Sequence, residues 1–128
     1  MEIRQSNFPL KNETDLIISA AIEIHSLLDC GFLEIVYKDA LCIELKNRDY
    51  FYEREKLYQV YYKGIPLPHS FYADFIIFDA VILEIKSKSA IASADIAQTL
   101  NYLRCSGCKV GLILNFGKPT LEIRRAVL

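Results

Sequence analysis

Asp74, Glu84 and Lys86 are the residues whose types and spacing point most directly to chemistry. Glu84 interrupts an otherwise apolar run, Val81-Ile82-Leu83 before it and Ile85 after it, which reads as a strand deep in a sheet. An ionised carboxylate in a core is costly unless it is paired or bound to a metal ion. An ion pair with Lys86 or Arg104 would meet that cost, and for an isolated Glu-x-Lys it is the ordinary explanation. Asp74, on the preceding strand, changes the balance. Two carboxylates on neighbouring strands can share one cation.

Sharing requires a particular register. Side chains alternate along a strand, so Glu84 and Lys86 project from one face and Asp74, Ile76 and Phe78 from one face of the strand before. A two-residue loop at Asp79-Ala80 pairs Phe78 with Val81, sets Asp74 opposite Ile85, and sends the carboxylates to opposite faces. An odd-length connection, such as Asp79 to Val81, pairs Phe78 with Ile82 and Asp74 with Lys86, and the polar groups converge. The expectation is therefore an odd-length loop or a bulge.

The elements that must hold these residues follow from periodicity. Asn12 to Leu28 reads as a helix capped by Thr14 or Asn12, with Leu16, Ala20, Ile24, Leu27 and Leu28 on its core stripe and Cys30-Gly31 ending it. A second helix runs from about Leu33 to Asn47, with Leu33, Val36, Tyr37, Ala40, Leu41 and Leu45 inward. Tyr52 to Tyr62, Ser70 to Phe78 and Val81 to Lys86 read as strands, the first two joined by a turn containing Lys63-Gly64, Pro66 and Pro68. Ser93 to Arg104 reads as a helix, and Lys109 to Phe116 and Thr120 to Val127 as a closing pair of strands. The apolar run Val110 to Leu114 suits a strand buried on both faces. The expected fold class is α/β: a mixed central sheet flanked by helices, in one domain over residues 1–128.

Asp-(x)n-Glu-x-Lys across a hairpin, with a helix before and after, resembles the PD-(D/E)XK nuclease core. A fuller resemblance is to the small prokaryotic GxxExxY family within that restriction-endonuclease-like superfamily. Its naming motif stands here as Gly31-Phe32-Leu33-Glu34-Ile35-Val36-Tyr37. Ala73-Asp74-Phe75, Leu83-Glu84-Ile85-Lys86, Gln98-Thr99-Leu100-Asn101-Tyr102 and Leu114-Asn115-Phe116-Gly117 follow in order, so the resemblance spans nearly everything from Asp15 onward. It implies a metal-dependent nuclease acting on DNA or RNA, with Asp74, Glu84 and the Ile85 carbonyl as ligands of Mg²⁺ or Mn²⁺. It implies that Lys86 orients water or steadies developing charge, that Glu34 completes the acidic set, and that Gln98 and Tyr102 line the site. On residues alone, an exposed pair of Glu34 with Lys38, four positions on, is the ordinary explanation. The superfamily's proline is Ala73 here, Tyr72 stands where members often carry a basic residue, and no arginine lies between Ser70 and Leu103.

The formal net charge of −1 opposes a general duplex binder, which ordinarily carries a basic excess. A bound cation would offset this locally. A catalytically silent nuclease-fold binding or regulatory module is the alternative, favoured by small size and near-neutral charge. The first twelve residues hold no apolar run of signal-peptide length and no stretch suits a bilayer, so the expectation is a cytoplasmic protein without a membrane partner. Cys30, Cys42, Cys105 and Cys108 are then expected as reduced thiols, since one CxxC lacks the ligands of a zinc site. His25 reads as a partly buried helix residue, nothing selects His69 as a ligand, and the sequence leaves a homo-oligomer open.

Overall fold

A computed structural model describes residues 8–128. The reading of the first twelve residues lies largely outside that range. Two helices, α1 (Lys11–Leu28) and α2 (Glu34–Asn47), precede strands β1 (Tyr52–Tyr62), β2 (Ile65–Ile77) and β3 (Val81–Lys86). Helix α3 (Ser93–Ser106) and strands β4 (Val110–Asn115) and β5 (Glu122–Val127) complete the chain. The five strands form one mixed sheet in sequence order, antiparallel except for the β3–β4 pair. Parallel neighbours need a crossover, and α3 supplies it.

The helices cover both faces. On one, Ile17, Ala21 and Ile24 of α1 and Tyr37, Leu41 and Leu45 of α2 pack onto Phe75, Ile77, Leu83, Ile85, Leu112 and Leu114. On the other, Leu103 of α3 packs with Ala73, Ile76, Ile82 and Ala126. Strands β3 and β4 lie beneath both layers, which accounts for their unbroken apolar character.

Local details depart from expectation. Helix α1 starts at Lys11, so Thr14 is not a cap; it is buried, and its hydroxyl bonds the carbonyls of Leu10 and Lys11. The buried stripe of α1 runs through Ile17, Ala20, Ala21 and Ile24, leaving Leu16 and Leu27 exposed, and Leu33 lies outside α2 with 76% of its surface accessible. Helical spacing admitted neighbouring stripes, and the sheet chose between them. Helix α1 ends at Asp29 rather than Gly31, although Gly31 does take a positive φ of 115°. Pro66 and Pro68 fall inside β2. The β2–β3 pairing involves only Phe75 to Ile77, so the distal part of β2 has an unpaired edge where a missing N–H is tolerated.

Candidate active site

The β2–β3 hairpin sets the geometry. Ile77 pairs with Val81, Ile76 with Ile82 and Phe75 with Leu83. The loop is therefore Phe78-Asp79-Ala80, odd in length as expected, with Phe78 and Asp79 at φ of 59° and 55°. It closes one residue earlier than the example drawn from sequence, so that register continues to Asp74 opposite Glu84 rather than Lys86. Parity, not the exact partner, brings the carboxylates together.

The strands stop pairing where the carboxylates begin. The Asp74 N–H donates to Glu84 Oε2 at 3.1 Å, and the Ile85 N–H donates to Asp74 Oδ2 at 2.8 Å. Side-chain oxygens thus replace the next rungs of the ladder. The change is tied to a rotation of the hairpin. Phe75 packs towards α1 and α2, whereas Ala73, two residues earlier, packs towards α3. A regular strand would put both on one face. Opposite Asp74 on β1, Glu55 takes a φ of 56°, and neither residue is paired in the β1–β2 ladder. Asp74 sits at this rotation, in the gap between β2 and β3.

Glu84 is 5% exposed and accepts a hydrogen bond from the Asp74 N–H. Among the described residues, no lysine or arginine lies within ion-pair distance of it. Burial, reinforced by the charge of Asp74, pushes its pKa up to about 8. Lys86 lies 3.9 Å from Asp95 Oδ1 instead, and Arg104 bonds Asn101 on the surface. The ion pair of Glu84 with Lys86 or Arg104 that the sequence allowed does not form. Asp95, at the start of α3, takes Lys88 at 2.5 Å and the Ala92 N–H at 2.8 Å, and these hold its pKa below the usual range.

Lys38 of α2 is the site residue that sequence reasoning missed. Its Nζ lies 2.9 Å from Asp74 Oδ1 and 3.7 Å from Glu55 Oε2. Burial pulls its pKa down, but the hydrogen bond and charge of Asp74, with Glu55 and Glu34 behind, outweigh this and raise it. Its position one turn after Glu34 had suggested a surface pair, and the structure shows no Glu34–Lys38 ion pair among the described residues. Glu34 is half-buried in the first turn of α2 beside a shallow pocket shared with Phe32, Ser87 and Lys88. Among the described residues, no three Asp, Glu, His or Cys side chains gather into one cation-binding group. Glu34 is not brought to Asp74 and Glu84 as a third ligand.

The Ile85 carbonyl is better placed. The Lys86 carbonyl accepts from Phe116 N–H at 2.8 Å, so β3 directs the polar groups of Lys86 to β4. By alternation, those of Ile85 point to β2, where the ladder has opened. Two carboxylates and this carbonyl are hard oxygen donors. A buried carboxylate with no cationic partner among the described residues, next to a second carboxylate, fits a divalent metal ion.

Tyr102 and Gln98 share a face of α3 and line a cleft of about 770 Å³ with Phe71, Asn101 and Arg104. The Tyr102 ring stacks on Phe71 at 3.9 Å, and Phe71 on Tyr58 at 5.5 Å. Burial first, then the charges of Glu84 and Asp74, raise the Tyr102 phenol pKa. Gln98 is exposed, and its link to the site is the shared cleft.

Behind β3, Asn115 is fully buried and braces the chain that leaves the site. Its Oδ1 accepts from Lys88 N–H and Gly117 N–H, while its Nδ2 donates to the Lys88 carbonyl and Glu122 Oε1. A Cβ on Gly117 would lie 2.3 Å from the Lys88 carbonyl oxygen, so only glycine permits this approach. His25 is buried, with Nε2 2.8 Å from the Lys118 carbonyl. The four cysteines are unpaired, and Cys105 and Cys108 flank Gly107, the left-handed end of α3.

No helix among the described residues is long and apolar enough to cross a membrane. No curated protein and no solved structure shows a significant match to this chain. The model of the PD-(D/E)XK nuclease superfamily, in contrast, matches residues 11–126, the span that contains the covering helices, the Asp74–Glu84 gap and the whole sheet but for the last residue of β5. The chain belongs to the PD-(D/E)XK nuclease superfamily.

Proposed function

We propose that this protein is a metal-dependent nuclease of the GxxExxY type, hydrolysing phosphodiester bonds of DNA or RNA at Asp74, Glu84 and Lys86. The observation that carries this reading is the buried Glu84 carboxylate, without a cationic partner among the described residues and hydrogen-bonded to the backbone of Asp74. Asp74, Glu84 and the Ile85 carbonyl would hold Mg²⁺ or Mn²⁺. When bound, such a cation supplies Lewis acidity towards the phosphate and a lowered pKa for the attacking water.

The protein's own groups do the rest. Glu84 and Asp74 anchor the charge, and the Ile85 N–H fixes the orientation of Asp74. Lys86, 19% exposed and only loosely held by Asp95, projects from the same side of β3 as Glu84 and can steady negative charge on the phosphoryl oxygens. Tyr102 walls the α3 side of the site. In the net reaction water adds to phosphorus, the bridging P–O bond breaks, and the leaving oxygen takes a proton. Glu34 and Gln98 stand at the margins, contributing to substrate placement.

Two observations favour a second reading. The Lys38–Asp74 contact and, among the described residues, the lack of a third gathered acidic group suit a catalytically silent module that keeps the fold. Calorimetric titration of Mn²⁺ into wild type and Asp74→Ala, alongside cleavage of single- and double-stranded DNA and RNA, separates the two. Binding lost on Asp74→Ala together with EDTA-sensitive cleavage supports the nuclease; no heat and no cleavage supports the silent module.

A further inference from the structure

Resting on that reading of the site, we propose that Lys38 is a built-in counter-ion of Asp74 which a divalent cation must displace, so that this lysine sets the metal concentration at which the site loads. The Lys38 ammonium lies 2.9 Å from Asp74 Oδ1, and each of the two side chains is only 14% exposed. Asp74 Oδ2 is taken by the Ile85 N–H, so both oxygens of this carboxylate already have partners. A cation ligated by Asp74 would bring at least two positive charges beside that ammonium. In a half-buried setting such like charges repel strongly. The lysine therefore leaves, or the metal binds weakly.

The surroundings give it somewhere to go. Lys38 also lies 3.7 Å from Glu55 Oε2, and Glu55 is half exposed at the rotation of β1. Glu34 stands one turn earlier on the same helix. A lysine's flexible four-carbon stem can exchange Asp74 for either carboxylate without moving α2. Lys86 cannot serve as the counter-ion, because it faces Asp95. Linkage makes the effect reciprocal: what the ammonium gains from Asp74, the metal must overcome.

Calorimetric titration of Mn²⁺ into the full chain tests this with wild type, Lys38→Gln and Lys38→Arg. The expected result is binding about 10-fold tighter for Lys38→Gln, within the usual range of site coupling, and near wild type for Lys38→Arg, which keeps the charge. A wild type that binds Mn²⁺ while Lys38→Gln binds equally or less tightly overturns the counter-ion alone. If neither binds, the metal-site reading falls and takes the counter-ion with it. A measurement on wild type keeps the test independent of how the variant folds. The Lys38 ammonium resonance, followed by NMR during Mg²⁺ titration, should shift with the same midpoint as calorimetric Mg²⁺ binding. Metal binding that leaves this resonance unmoved overturns the proposal.

Discussion

Glu84 carries the largest electrostatic cost in the site, and pH makes that cost measurable. Its ordinary value is 4.5, whereas burial and Asp74 raise it to about 8 in the fold. Below the lower value both folded and unfolded chains hold this proton, and the contribution of Glu84 to stability is at its fullest. As pH rises towards about 8, the unfolded chain releases the proton and the folded chain keeps it, so the metal-free fold loses stability across that window. Urea midpoints of EDTA-treated protein should fall accordingly. Glu84→Gln should flatten the profile, gain about 1 kcal/mol near neutral pH, and abolish cleavage. A Glu84→Gln protein that is less stable than wild type would mean that an attractive partner holds this carboxylate. Metal binding needs the ionised form, so Mn²⁺ affinity of wild type should climb over the same pH range. Lys86→Ala separates binding from chemistry. It should leave Mn²⁺ affinity within a few-fold while slowing single-turnover cleavage by about 100-fold, the scale of one charge-stabilising group.

At the scale of elements, the site depends on the register of one hairpin and the brace behind one strand. Deleting Ala80 leaves a two-residue connection between Ile77 and Val81. Ile77 can still pair with Val81 across the shorter turn, so Asp74 stays opposite Glu84. Such a variant is expected to keep its Mn²⁺ heat, and loss of that heat with native-like strand content by circular dichroism would show that the loop's own conformation, not the register, holds the site. The brace is tested at Asn115 and Gly117. Asn115→Ala leaves the backbone groups of Lys88 without their partners in a part-buried place and should cost about 1 kcal/mol in urea unfolding. Gly117→Ala forces a methyl against the Lys88 carbonyl and should cost a similar amount, about 1–3 kcal/mol. Near-neutral results at both positions would show that the segment after β3 relaxes freely.

The whole molecule carries a net charge of −1, and the cations near the site are Lys86, Lys88 and Lys38, two of them already paired with Asp95 and one with Asp74. A nuclease built this way makes few phosphate contacts of its own. The logarithm of its affinity for a catalytically blocked oligonucleotide should fall with the logarithm of salt at a slope no steeper than about −3. Fluorescence anisotropy at several ionic strengths checks this. A slope near −6 or steeper would require a broad basic face that the net charge argues against.

The order of helices and strands was legible in the sequence because each element carries its own period and its own turn chemistry. So was the meeting of Asp74 with Glu84, since parity along two short strands depends only on loop length and which residues are apolar. The superfamily match spans the same local blocks. What the sequence left open was every choice between partners distant in the chain. Helical spacing could not tell Ile17 from Leu16 as the inward residue of α1, because only the sheet surface distinguishes adjacent stripes. Nor could it show that Lys86 turns to Asp95, that Asn115 braces Lys88, or that Lys38 takes Asp74 rather than Glu34. Charges pair with whichever opposite group tertiary packing brings within a few ångströms, and that distance has no periodic signature in the chain. The hairpin rotation at Glu55 and Asp74 is a collective property of the same kind, since it needs helices on both faces to hold it. Tertiary structure therefore decided that Glu84 stands buried without a cationic partner among the described residues, and that is the feature on which the functional reading depends.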